Sequence, residues 1–322
     1  MLRVAGVLLA TAVGFMAGGA EARMVMQVYP VPSGSGAHDV WPAADGGVWF
    51  TAQAAGKLGH LDPATGKVEM IALGPDAAPH GVIVGADGAA WITDGGQNAI
   101  LRVDPATHAV KAFPLPKGRE NANLNTASFD RSGVLWFTGQ NGVYGRLDPK
   151  SGEMSVYDAP RGVGPYGITT TPEGRVFYAS LAGSYLAEID LASGEATVLE
   201  PPVARQGARR VWSDGEGNLW VSGWTSGDLF RYDPKAKAWK KWRVPGSAPQ
   251  PYAVYADERG IVWLSDWGSN AVFSFDPRSE RFDQIPLLDR YASVRELAGR
   301  KGEVWGAESG ADKIFVIRVT PD

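Results

Sequence analysis

Apolar and polar positions alternate in short runs along this chain, and turn residues separate the runs. Residues 260–277 show the unit. Ile261 to Asp266 is rich in β-branched and aromatic residues and predicts a strand. Gly268-Ser269-Asn270 predicts a turn, Ala271 to Phe275 a second strand, and Asp276-Pro277 the start of the next turn. No segment carries apolar residues at i, i+3, i+4 and i+7 over three turns, which excludes a helical repeat.

The unit recurs. Copies aligned on a Gly-x-x-aromatic core place the aromatic at Trp49, Trp91, Trp136, Phe177, Trp220, Trp263 and Trp305, with spacings of 42, 45, 41, 43, 43 and 42. A period of about 40–45 residues built from strands is that of propeller blades, one four-stranded sheet each. Each copy continues with a second strand such as Lys57–Leu61 and an Asp turn at Asp62, Asp104, Asp148, Asp190, Asp233 or Asp276. A last strand ends in proline, as at Pro114, Pro245 and Pro286, which suits an outer edge. The seventh copy lacks its outer strand, whereas Met24–Pro32 reads as an outer strand with no blade before it. The expectation is an all-β, seven-bladed propeller over 23–322, its N-terminal strand closing the last blade so that no sheet edge stays open. The regularly spaced tryptophans are expected to pack between blades.

Composition narrows the function. Arg3, the apolar run Val4–Gly18 and Ala20-Glu21-Ala22 form a signal-peptide pattern over 1–22. A periplasmic or secreted protein is expected, with no other segment apolar enough for a membrane. The net charge of −4 gives no case for nucleic acid or anionic lipid. The absence of cysteine excludes disulfides and thiolate chemistry.

Propeller sites lie at one mouth of the central channel, on loops carried by a rigid ring. Two register positions in each blade should point there. Eleven residues before the aromatic stand His38, His80, Asn125, Tyr166, Arg209 and Tyr252, with Arg295 in the seventh blade. Three residues after it stand Ala52, Asp94, Gly139, Ser180, Gly223, Asp266 and Glu308. These positions vary while the scaffold repeats. His38 and His80 are the catalytic candidates. Asn125, Tyr166, Arg209, Tyr252 and Arg295, with Arg210, Trp224 and Trp267 nearby, suit an anionic or carbonyl-bearing small ligand. Glu308, Asp266 and Asp94 are the candidate metal ligands. His60 and His108 read as surface residues.

Several of these motifs resemble the repeat of the streptogramin lyase (virginiamycin B lyase) family: Pro79-His80-Gly81-Val82, Trp49-Phe50-Thr51, Leu58-Gly59-His60-Leu61-Asp62-Pro63, Thr65-Gly66 and Gly268-Ser269-Asn270. The resemblance spans nearly all of 23–322. It implies a seven-bladed propeller and a carbon–oxygen lyase that opens streptogramin B antibiotics by elimination across an ester, using Mg²⁺ and a histidine base. In that family the base stands at the start of the last blade's inner strand, with a Glu two residues before it. Arg295 and Ser293 occupy those places here, Tyr252 replaces a substrate-contacting His, and only Glu308 matches the family's second Glu. A guanidinium stays protonated at any relevant pH and is no base. Losing a general base costs about 10²–10⁴-fold in rate.

The leading expectation is therefore an exported, monomeric propeller that binds a small ligand at the channel mouth, without antibiotic lyase activity by the family route. One alternative is a Mg²⁺-dependent carbon–oxygen lyase or metal-dependent hydrolase with a site relocated to His38 and Glu308. Another is a protein-interaction scaffold, hinted at by Trp239 and Trp242 beside four lysines.

Overall fold

A computed structural model describes residues 13–15 and 23–320. The signal peptide expected over 1–22 therefore lies outside the described residues apart from Val13–Phe15. Seven antiparallel sheets form a ring. Each inner strand packs on the inner strand of the next blade, and that of the seventh (Val294–Arg300) on that of the first (Ala37–Pro42). The other five inner strands are Pro79–Val84, Leu124–Phe129, Pro165–Thr170, Ala208–Ser213 and Pro251–Ala256.

The ring closes as the strand pattern predicts. Arg23–Pro30 pairs antiparallel with Lys313–Thr320, from Arg23 opposite Thr320 to Pro30 opposite Lys313. Val13–Phe15 adds a short fifth strand to that sheet, which the four-strand repeat did not anticipate.

Repeating side chains hold neighbouring blades together. Trp49, Trp91, Trp136, Phe177, Trp220, Trp263 and Trp305 are all buried. Burying such rings is the chief stabilising contribution of each blade interface. The indole N–H still needs an acceptor, and the hairpin between the first two strands supplies one. Trp136, Trp220 and Trp263 donate to Asp130, Asp214 and Asp257 at 2.9, 2.8 and 3.0 Å. Blade packing also accounts for the scaffold hint: Trp242 stacks on Trp220 at 5.7 Å and Trp239 lies 4.8 Å from Tyr232. Among the described residues no helix is long and apolar enough to cross a membrane.

Candidate functional site at the hub

The site begins with a backbone irregularity that all seven blades share. Pairing between the inner strand and its neighbour shifts register between Ala37 and Val40, Pro79 and Gly81, Leu124 and Ala127, Pro165 and Ile168, Ala208 and Val211, Pro251 and Val254, and Val294 and Leu297. A bulge of this kind re-aims side chains that strict alternation would send to opposite faces. A hydroxyl two residues after the blade aromatic holds it. Thr51 Oγ1 accepts from Asp39 N at 3.0 Å and donates to His80 O in the next blade at 2.7 Å. Ser222 does the same between Arg210 N and Tyr252 O, at 3.0 and 2.6 Å. Ser265 ties Ala253 N to Val294 O, at 2.9 Å each. Ala179 and Ala307 stand at this place in blades four and seven, so Arg209 and His38 lack the tie.

The row eleven residues before the aromatic converges at the mouth. The rings of His38 and His80 are 4.0 Å apart, and Asn125 Nδ2 lies 3.0 Å from His80 Nε2. Asn125 donates there, so the His80 proton sits on Nδ1, which is buried without a partner. The hydroxyls of Tyr166 and Tyr252 hydrogen-bond to each other. Arg209 donates to Tyr166 Oη at 3.2 Å, and its guanidinium stands 3.7 Å over the Tyr252 ring and 4.5 Å over Trp224. Arg295 lies 5.0 Å over Trp267 and donates from Nε to Ser309 Oγ at 3.0 Å. All seven residues meet, but as a packed plug. His38, His80, Asn125, Tyr166 and Tyr252 are buried, and only Arg209 and Arg295 remain partly exposed.

Beneath them the bulge aims in a second layer, Asp39, Arg210 and Glu296, of which the sequence pattern singled out Arg210 alone. Asp39 Oδ1 lies 2.7 Å from His38 Nδ1 and accepts from Arg210 Nη2 at 2.8 Å. Arg210 Nη1 donates to Thr126 Oγ1 at 2.7 Å and lies 2.8 Å from Glu296 Oε2. All three are under a tenth exposed. Burial pushes the Asp39 and Glu296 carboxyls up, opposed by Arg210. Burial also works against the Arg210 charge, but the two carboxyls outweigh it and hold the guanidinium protonated. His38 and His80 are driven well below the usual imidazole value, first by burial, then by Arg210 beside His38 and by His38 beside His80. Both imidazoles are neutral bases at pH 7. Position alone could have flagged this layer, because Asp39, Arg210 and Glu296 follow directly on mouth residues and their counterparts Gly81, Gly167 and Ala253 are small.

The row three residues after the aromatic does not join this group. Asp94 Oδ1 accepts from Ala78 N and Gln97 N at 3.0 and 2.8 Å, and Asp266 accepts from Gln250 N, Ser269 N and Ser269 Oγ. Both carboxylates are loop caps within their own blade. Glu308 is buried beside Asp289, and burial, then that neighbouring charge, pushes its carboxyl up to about 8. Among the described residues the one group of three metal-capable side chains is His38, Asp39 and His80, with donor atoms within 4.8 Å of one another. Two imidazoles and one carboxylate, flanked by Arg209, Arg210 and Arg295, do not match the all-oxygen octahedron that Mg²⁺ requires. That cluster thus does not fit the implied Mg²⁺. Away from the hub, His60 and His108 are half-buried rather than on the surface: His60 packs on Trp49 at 4.4 Å and lies 3.2 Å from Asp45, and His108 lies 3.3 Å from Glu69.

Solved structures share this architecture. A streptogramin B lyase superposes with a TM-score of 0.84 at 22% identity, over 92% of this chain and 98% of that one. Virginiamycin B lyase from Staphylococcus aureus superposes with a TM-score of 0.85 at 20% identity, over 92% and 100%. A catalytically inactive histidine-to-alanine variant of the Staphylococcus aureus enzyme, with quinupristin, gives the same figures. No curated protein matches by sequence. The sequence model of the Virginiamycin B lyase family matches residues 13–266, and on that match the chain belongs to the virginiamycin B lyase family.

Proposed function

We propose that this is an exported, monomeric member of the family that binds a small anionic or carbonyl-bearing ligand at the channel mouth, and that it does not open streptogramin B antibiotics by a Mg²⁺-dependent route. One observation carries the reading. Arg209 and Arg295, the partly exposed members of the mouth plug, stand on a platform of Tyr252, Trp224 and Trp267. A guanidinium held on aromatic faces is fixed in direction and keeps its outer N–H groups for a carboxylate or carbonyl. A recess of about 320 Å³ between the loops of blades six and seven, lined by Trp267, Arg290, Tyr291 and Ser293, gives the rest of such a ligand a place. The signal-peptide pattern of residues 1–22 supports export.

The test is quinupristin with Mg²⁺, followed by mass spectrometry, alongside titration of small mono- and dicarboxylates. The antibiotic should stay intact. Carboxylate binding should weaken about tenfold in Arg209→Met and in Arg295→Met, the loss of roughly 1.4 kcal/mol. Mg²⁺-dependent cleavage abolished by Glu308→Gln would overturn the proposal.

A second reading rests on Asp39 against His38. A carboxylate on Nδ1 fixes the tautomer and leaves Nε2 as a base, the arrangement that general-base catalysis uses. The chain would then be a carbon–oxygen lyase with a relocated base. His38 would take the proton α to a carbonyl, a C=C bond would form, and the carboxylate would leave toward the arginines. Turnover of a β-acyloxy ester, lost in His38→Ala and reduced in Asp39→Asn, would support it; no turnover excludes it.

A further inference from the structure

The channel is not filled along its whole length. Past the layer of Asp39, Arg210 and Glu296 the inner strands surround a cavity of about 290 Å³. Val84, Phe129, Thr170 and Ser213 line it, and each is the last residue of its inner strand. The cavity therefore lies toward the face opposite the mouth, on the far side of the plug from Arg209 and Arg295.

Its walls differ in chemistry. Trp41 and Trp212 form one side, with ring centroids 5.9 Å apart, and Tyr255 backs Trp212 at 4.9 Å. The other side presents the hydroxyls of Ser128 and Thr170, which are 2.9 Å from each other. The inner end is Arg210 and Glu296. Arg210 Nε is buried without a partner, and Glu296 Oε2 touches the guanidinium without the alignment of a hydrogen bond. Two polar groups, each more than nine-tenths buried, are thus left with unused capacity beside an open space. Orphaned buried polar atoms of this kind cost about 1–3 kcal/mol each.

Charge narrows what can meet them. Asp39 and Arg210 offset each other, and burial keeps the Glu296 carboxyl protonated near neutral pH. This end therefore has no counter-charge to offer either an anion or a cation, and each would give up its hydration without one. A neutral molecule carrying several hydroxyls faces neither penalty. At liquid density the space holds about ten waters, which suits one small ring and excludes a macrocycle.

We propose that this cavity is a second binding site, for a neutral polyhydroxylated ring of monosaccharide size. Its C–H faces lie against Trp41 and Trp212, and its hydroxyls are shared among Arg210, Glu296, Ser128 and Thr170. The site is separate from the mouth and does not depend on the chemistry proposed there.

The experiment titrates the exported chain with glucose, galactose, mannose and myo-inositol, read by saturation-transfer NMR and tryptophan emission. Choline and acetate serve as charged comparators. At least one of the four neutral rings should saturate with a Kd of about 1 mM, near −4 kcal/mol. Trp212→Ala should weaken it at least tenfold. Ser128→Trp, which fills the cavity from the hydroxyl wall at the open end, should abolish it even if Trp212→Ala fails to fold. No saturable binding by any of the four, tighter binding of choline or acetate, or binding that survives Ser128→Trp would each overturn the proposal.

Discussion

The two ends of the channel are made from the same seven strands and come out differently. At the mouth, Tyr166, Tyr252, Trp224, Trp267 and two arginines stack on one another and leave no open hub. At the opposite end two tryptophans face two hydroxyls across about 290 Å³ of space. Polar identity names the chemistry a position can do, but side-chain length decides whether room remains to do it. The divide between the ends is the Arg210 layer. Gly81 and Gly167 flank it because the backbone is too close for anything larger. A Cβ on Gly81 would sit 2.7 Å from Asn125 O, and one on Gly167 2.8 Å from Arg210 Cα. Those glycines give up hub volume, and the Arg210 side chain occupies it.

The largest expected effect comes from removing the divide. Arg210→Ala leaves the Asp39 carboxylate buried without its cation and should cost about 3–5 kcal/mol in urea unfolding. A loss below about 1 kcal/mol would mean the ends are not separated by a locked charge layer.

The mouth should next reveal itself through acid. His38 and His80 are held neutral, with folded values well below the unfolded value near 6.5. The unfolded chain binds those protons first, so stability is complete above about pH 6.5 and falls as pH drops below it, by about 1.4 kcal/mol per pH unit for each imidazole. Thermal unfolding of His38→Gln and His80→Gln should show a flatter acid limb than the native chain.

Glu308 acts in the opposite sense. Its carboxyl lies near 8 when folded and near 4.5 when unfolded, so the folded state holds the extra proton. Its penalty is absent below about pH 4.5 and grows as pH climbs toward 8, to a few kcal/mol at about 1.4 kcal/mol per pH unit. Glu308→Gln should remove this alkaline decline, measured by denaturant midpoints between pH 5 and 9, roughly the span of the shift. A steeper decline in the variant would contradict the burial of this group.

The smallest of the four effects tests the capping row. Asp266→Ala strips the Gln250 and Ser269 amides of their acceptor and should cost about 1–3 kcal/mol while leaving binding in the far cavity unchanged.

Much of the frame was readable in the chain. Seven aromatics at near-constant spacing carry the blade count, because one sheet per repeat must bury one such ring against its neighbour. The closing strand was readable as an unpaired copy of an outer strand. At the site, the row of His38, His80, Asn125, Tyr166, Arg209, Tyr252 and Arg295 was located correctly from register. The row of Asp94, Asp266 and Glu308 was readable as polar and variable, but not as two loop caps and one buried carboxyl. The carboxylates that do lie at the hub, Asp39 and Glu296, were missed. In an ordinary strand the residue next to a hub-facing one points away, and only the bulge turns both inward.

The sequence by itself determined the repeat, the ring of blades and the residue types at the mouth, because these follow from local periodicity and from burial that each copy repeats. The tertiary structure alone decided which carboxylates meet the imidazoles, that the mouth is closed by its own side chains, and that space survives at the far end. Those outcomes depend on how seven different side chains share one axis, a many-body packing problem that no single blade encodes.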